Sequence, residues 1–148
     1  TMDFTTPILE VTQSIIVNKG SGVLADEKAL AGKVVGVQIG TTGNFAVEKI
    51  AGVTVKAYDE IGLAVEDLLN KNLDAVVADS IIAADFVLAN DNYADKLNVT
   101  GTVAGEVEQI AMAVKKGNAE LLKILNDNIA ALKADGTVAA LKTKWNIL

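Results

Sequence analysis

The chain has 148 residues, enough for one ordinary domain with a real core, and 51% of them are apolar. It contains no histidine and no cysteine, all 13 basic residues are lysine, and the formal net charge is −6. This composition removes thiolate chemistry, disulfides, the commonest metal ligand and general base, and guanidinium recognition; it argues against nucleic acid and anionic membranes as partners and favours binding over catalysis.

No apolar run approaches the ~20 residues of a membrane-spanning helix. No basic-then-apolar leader opens the sequence, so the reading is of a soluble chain, without its secretion signal if it had one. In chain order, Met2-Asp3-Phe4 and the single proline, Pro7, precede Thr12–Lys19, which contains the strand Ser14–Val17. Val34–Val37 reads as a buried strand followed by a helix from Asn44 to Ile50. Thr54–Tyr58 is the next strand, and Asp59 is the expected cap of a helix running to about Asn70 through Leu63, Leu68 and Leu69. Ala75–Ala78 is a third buried strand, with Ser80 expected to cap a helix reaching about Asn90.

Beyond it, Ile110–Val114 is extended and leads through Lys115-Lys116-Gly117 to a helix capped by Asn118. Leu122, Leu125, Ile129 and Leu132 form an apolar stripe on that helix; Gly136 ends it, and Thr137 is the expected cap of a last helix reaching Trp145. Strand–helix alternation of this kind specifies an open parallel-type sheet with helices on both faces, an α/β fold.

Two places can carry chemistry. Gln38-Ile39-Gly40-Thr41-Thr42-Gly43-Asn44 joins a buried strand to a helix, at the sheet edge where open α/β folds bind ligands. Its glycines permit a sharp turn, and the helix-start N–H groups and the two threonine hydroxyls suit a carboxylate or phosphate. The same pattern also fits a plain strand-to-helix turn with a threonine cap. Asp79 follows the third strand at the same edge, where it suits either a ligand ammonium group or a helix cap. A phosphoacceptor role is disfavoured, because Gln38 and Ile39 stand where receiver domains carry an acidic pair. Lys115 and Lys116 read as solvated, Trp145 as a packing anchor, and Glu106 with Glu108 as an acidic patch without an evident partner. None of these makes a catalytic set, and no metal site or cofactor is indicated.

The segment Gly32–Gly43, GKVVGVQIGTTG, resembles a block of the family 3 solute-binding proteins. Met2–Pro7, Leu73–Asp79, Ala113–Gly117 and Leu132–Thr137 resemble further blocks of that family, in its order and over essentially the whole chain. The resemblance implies a type II periplasmic-binding-protein lobe with hinge strands and C-terminal helices, serving an amino-acid ABC transporter outside the cytoplasm or in the periplasm, in a parent protein that is free or membrane-tethered. It implies that Gly40, Thr41 and Thr42 receive a ligand carboxylate, that Asp79 holds the ammonium group, and that Gln38 touches the ligand.

On this reading residues 1–19 are a remnant of the first lobe with a hinge strand, 20–109 are the second lobe, and 110–148 are the returning hinge strand and helices that belong with the first lobe. The implied partners are a small polar amino acid, the transporter permease, and either the missing first lobe or a second copy of the chain, as a dimer or domain swap. Ile8 and Ile110 are aliphatic where the family commonly has aromatics, and the chain lacks the arginine that usually clamps the carboxylate. Two alternatives stand beside this: an isolated or engineered flavodoxin-like lobe without function, and a dehydratase-like enzyme of the same fold, for which Asp79 is the one acid in place.

Overall fold

The computed structural model describes residues 1–145 and 147, apart from the side chains of Leu88 and Glu106, so the expected acidic patch at Glu106 lies outside the described residues. The chain divides into two compact units, residues 12–106 and residues 1–11 together with 107–147.

The larger unit is built on a sheet of order β4-β3-β5-β2-β6, formed by β2 (Leu9–Asn18), β3 (Val34–Gln38), β4 (Thr54–Tyr58), β5 (Ala75–Asp79) and β6 (Leu97–Ile110). β3 pairs in parallel with both β4 and β5, as strand–helix alternation requires. β2 is antiparallel to β5, with Ile15 opposite Val77 and Ile16 opposite Val76, so the sheet is mixed rather than purely parallel. The N–H of Lys19, just past the end of β2, donates to the carbonyl of Lys96, just before β6, at 2.8 Å. Those two neighbouring strands therefore run in opposite directions.

β3 and β5 are apolar on both sides because both sides are covered. On one face Ile16 and Val76 pack with Ala64, Val65 and Leu68 of helix α2 (Ile61–Leu69). On the other, Ile15, Val35, Val37 and Val77 pack with Val47 of helix α1 (Thr42–Glu48), with Leu30 of the 3₁₀ turn Glu27–Leu30, and with Val103. The two clusters follow the alternation of side chains along each strand. Helix α3 (Ser80–Ala84) continues into a wider π-helical turn, Asp85–Ala89, ending one residue short of the expected limit at Asn90.

Several caps sit one residue from the expected ones. Helix α1 begins at Thr42, not Asn44, because Thr41 is the cap and its Oγ1 accepts the N–H of Asn44 at 3.2 Å. Glu60 rather than Asp59 precedes α2, with no side-chain cap. Of the two residues that offered a cap for α3, Asp79 makes it; the Ser80 hydroxyl is buried and without a partner among the described residues.

In the smaller unit β1 (Met2–Phe4) pairs antiparallel with β7 (Ala113–Lys115), and α4 (Ala119–Ala134) and α5 (Thr137–Lys144) follow. Asn118 caps α4 as expected, through Leu121 N–H at 3.2 Å. Gly136, at φ +83°, closes α4 and itself precedes α5, so Thr137 is the first helical residue and not the cap. Thr6 N–H donates to Asn126 Oδ1 at 2.8 Å and Lys133 Nζ to the Pro7 carbonyl at 2.7 Å, tying α4 to the N-terminal segment. Of the expected stripe on α4 only Ile129 is buried; Leu132 is 44% exposed. Phe4, Ile124, Leu141 and Trp145 are also exposed, so Trp145 is not the packing anchor expected of it; Lys144 Nζ lies 5.5 Å from its ring centroid.

Candidate functional site

The turn between β3 and α1 is braced by its own side chains. Gly40 adopts φ +72°, a left-handed conformation that glycine supplies without strain, and its N–H donates to Asn44 Oδ1 at 3.1 Å. Thr41 Oγ1 donates to the Gln38 carbonyl at 2.8 Å while accepting from Asn44 N–H, so its single proton is committed inside the turn. Asn44 Nδ2 in turn donates to Glu48 Oε1 at 2.7 Å. Thr42 differs. Its Oγ1 accepts from Gln13 Nε2 at 3.0 Å, its proton is not drawn into the turn, and the residue is exposed. The N–H groups of Thr42 and Gly43, at the start of α1, point out of the helix with no intrahelical partner, as helix starts require.

Asp79 ends β5 at the same sheet edge. Its Oδ1 accepts from the N–H of Ile81 at 3.0 Å and of Ile82 at 2.9 Å, while Oδ2 receives no hydrogen bond among the described residues. The carboxylate is thus a cap through one oxygen and open through the other. The two roles left open by the sequence are compatible.

Four of the five expected residues, Gln38, Thr41, Thr42 and Asp79, line one cleft of about 40 Å³ together with Gln13. Gly40 does not line it; its role is to shape the turn. Gln38 is half-buried and donates through Nε2 to the Asp59 carbonyl at 3.2 Å. A volume near that of one or two waters is far below the several hundred Å³ that enclose a small organic ligand. The cleft lining brings the Thr42 hydroxyl and the Gln13 amide together with the Asp79 carboxylate. Among the described residues no group of three or more acidic side chains is placed to hold a metal ion.

Gln13 was not singled out from the sequence. Its signal is a pair of polar residues, Gln13-Ser14, inside the otherwise apolar run of β2. Gln13 stands opposite Asp79 in the β2–β5 register and is 3% exposed. Lys115 and Lys116 are exposed, as expected.

A family model described as bacterial extracellular solute-binding proteins, family 3, matches residues 1–147. The chain belongs to this family. Among curated relatives, the L-cystine-binding protein TcyJ of Escherichia coli (strain K12) is 37% identical over 145 residues, covering 97% of this chain and 53% of the relative. A probable histidine-binding protein of Neisseria gonorrhoeae is 31% identical over 147 residues, covering 97% of this chain and 54% of the relative. Among solved structures, an ancestral arginine-binding protein bound to arginine is 38% identical with a TM-score of 0.70, covering 97% of this chain and 64% of that one. An ancestral cationic amino acid solute-binding protein superposes with a TM-score of 0.82 at 28% identity, covering 97% of this chain and 62% of that one. The chain therefore spans about half the length of the curated family 3 proteins it matches.

Proposed function

We propose that this chain supplies the floor of an amino-acid site in a solute-binding component of an ABC transporter, and that it acts by binding rather than catalysis. The observation that carries the proposal is the single cleft shared by Thr42 and Asp79: the Thr42 hydroxyl and the first N–H groups of α1 receive the ligand carboxylate, and Asp79 Oδ2 receives the ammonium group. Gln38 and Thr41 complete the wall, and Gly40 sets the turn. The names of the relatives, which specify cystine, histidine, arginine and glutamine binding, support a small polar amino acid as the guest. The family description supports an extracellular setting, which in this reading includes the periplasm. The relatives named as ABC transporter binding proteins support a membrane permease as partner, in a parent that is free or tethered.

The division of labour follows from the two units. Residues 12–106 form the ligand-bearing lobe; residues 1–11 and 107–147 belong with a first lobe supplied by a further part of the parent protein or by a second copy of the chain. A floor open to water gains only about 1 kcal/mol net per hydrogen bond, so the chain alone binds weakly and closure by a second body brings affinity. A thermal-shift series with the twenty amino acids tests this, run on the chain alone and on the chain with the rest of a relative's length restored. A ligand-dependent rise in Tm in either series supports the reading. No rise in both overturns it.

A further inference from the structure

Gln13 is nearly fully buried at 3% exposure, yet its Oε1 has no hydrogen-bond partner among the described residues. A methionine of similar length would avoid leaving that oxygen unsatisfied, so packing alone does not account for an amide here. Space for the amide is reserved: a Cβ on Gly43 would lie 2.7 Å from Gln13 Oε1, and glycine removes the collision. Gln13 also faces Asp79 across the ladder, so it stands beside both Thr42 and Asp79 in the cleft lining.

We infer that Gln13 is the positioning residue that turns the Thr42 hydroxyl into an obligate donor toward a guest carboxylate, and so sets the preference of that end of the cleft for an anion. The inference rests on the amino-acid-binding reading. A hydroxyl has one proton, and an amide nitrogen donates but does not accept. With Gln13 Nε2 donating to Thr42 Oγ1 at 3.0 Å, the Thr42 proton points away from Gln13, and Thr42 is exposed and lines the cleft. Thr41 offers no such proton, having given it to the Gln38 carbonyl. A carboxylate in place of the Gln13 amide reverses the logic. It would accept the Thr42 proton and set a negative charge beside the anion seat.

The test is an NMR titration of the full chain with L-arginine and with acetate, read at Thr42 and Gly43, for the native protein and for Gln13→Glu, Gln13→Met and Thr42→Val. Gln13→Glu should weaken both probes by about tenfold or more, since an acceptor and a charge replace a donor, and Gln13→Met by only several-fold. Binding by Gln13→Glu should recover as pH falls and the new carboxyl protonates, with no matching recovery in the native chain. Adding Gln13→Met to Thr42→Val should change nothing further. Equal losses in the Glu and Met variants without pH recovery, or additive losses in the double variant, would overturn the inference. If Gln13→Glu does not fold, the Met and Val cycle decides. If neither probe moves the native chain, the amino-acid reading stands or falls on the restored-length thermal-shift series. Gln13 is then judged on the ligand-free protein by three-bond couplings of Thr42: one χ1 rotamer in the native chain and averaging in Gln13→Met supports positioning, and an unchanged rotamer overturns it.

Discussion

Asp79 Oδ1 accepts the N–H of Ile82 at 2.9 Å, so the residue proposed to meet a ligand also starts a helix. Substitutions separate the two duties. Asp79→Asn keeps a good cap and should leave stability within about 0.5 kcal/mol, whereas Asp79→Ala should lose about 1 kcal/mol in chemical denaturation. Both should weaken amino-acid binding by about tenfold, because the charge is lost in each. Native-like binding by Asp79→Asn would remove the carboxylate from the site.

The neighbouring threonines should differ in affinity rather than in stability. Thr41→Val removes the cap of α1 and should cost about 1 kcal/mol of stability while sparing affinity. Thr42→Val leaves the buried Gln13 amide nitrogen without its acceptor, so it should also cost about 1 kcal/mol, and it should lower affinity several-fold in the same titration. Loss of affinity in Thr41→Val and not in Thr42→Val would mean that Thr41 is the ligand donor.

Gly36 lies in the middle of β3 with no room beside it. A Cβ there would lie 2.6 Å from Leu73 Cδ1, 3.2 Å from Ala64 Cβ and 3.3 Å from Val76 Cγ2. Gly36→Ala should therefore destabilise the larger unit by about 1–3 kcal/mol, as overpacked cores do, measurable by urea unfolding.

Asp67 gives the pH dependence. The hydrogen bond from the Tyr58 hydroxyl, then those from Asn72 and Lys56, hold its carboxyl down to about 2. A depressed carboxyl stabilises the fold above its unfolded value near 4, and that contribution is lost as pH falls from there through about 2. Tyr58→Phe removes the largest cause, so the Asp67 side-chain carbon should titrate closer to the usual carboxylate range in a ¹³C-detected pH series. An unchanged titration would show that the Tyr58 bond does not act on Asp67 in solution.

The smaller unit leaves Phe4, Ile124, Leu132, Leu141 and Trp145 exposed. Apolar surface of this kind promotes association. Sedimentation velocity should show concentration-dependent dimers or larger species that Ile124→Lys with Leu132→Lys reduces. A single monomeric species at every concentration would count against a second copy as the covering partner.

The fold of the middle was legible because β3, β4 and β5 are short β-branched runs separated by helices, the pattern of a sheet covered on both faces. β6 was not legible. Gly101 and Gly105 read as strand breakers, and few large apolar residues mark its alternation; Gly101 is tolerated because its missing Cβ lets the Ala25 carbonyl approach. The helix starts slipped by one residue at Asp59-Glu60 and Gly136-Thr137 because side-chain type alone does not fix where the backbone enters helical dihedrals. In the site, the strand–helix pattern marked the turn and Asp79, and the resemblance supplied their expected ligand roles. Gln13 escaped because its part depends on strand pairing across a long stretch of chain, which no local pattern encodes.

Residues 12–106 are one unbroken stretch, and its first and last residues lie toward the same end of adjacent antiparallel strands. A module with its ends side by side lends itself to cyclisation or to grafting into a host loop, since neither operation has to thread the backbone through the core. Gln13, Thr42 and Asp79 would all travel with it, so the carboxylate and ammonium contacts could be carried as a cassette into an unrelated scaffold.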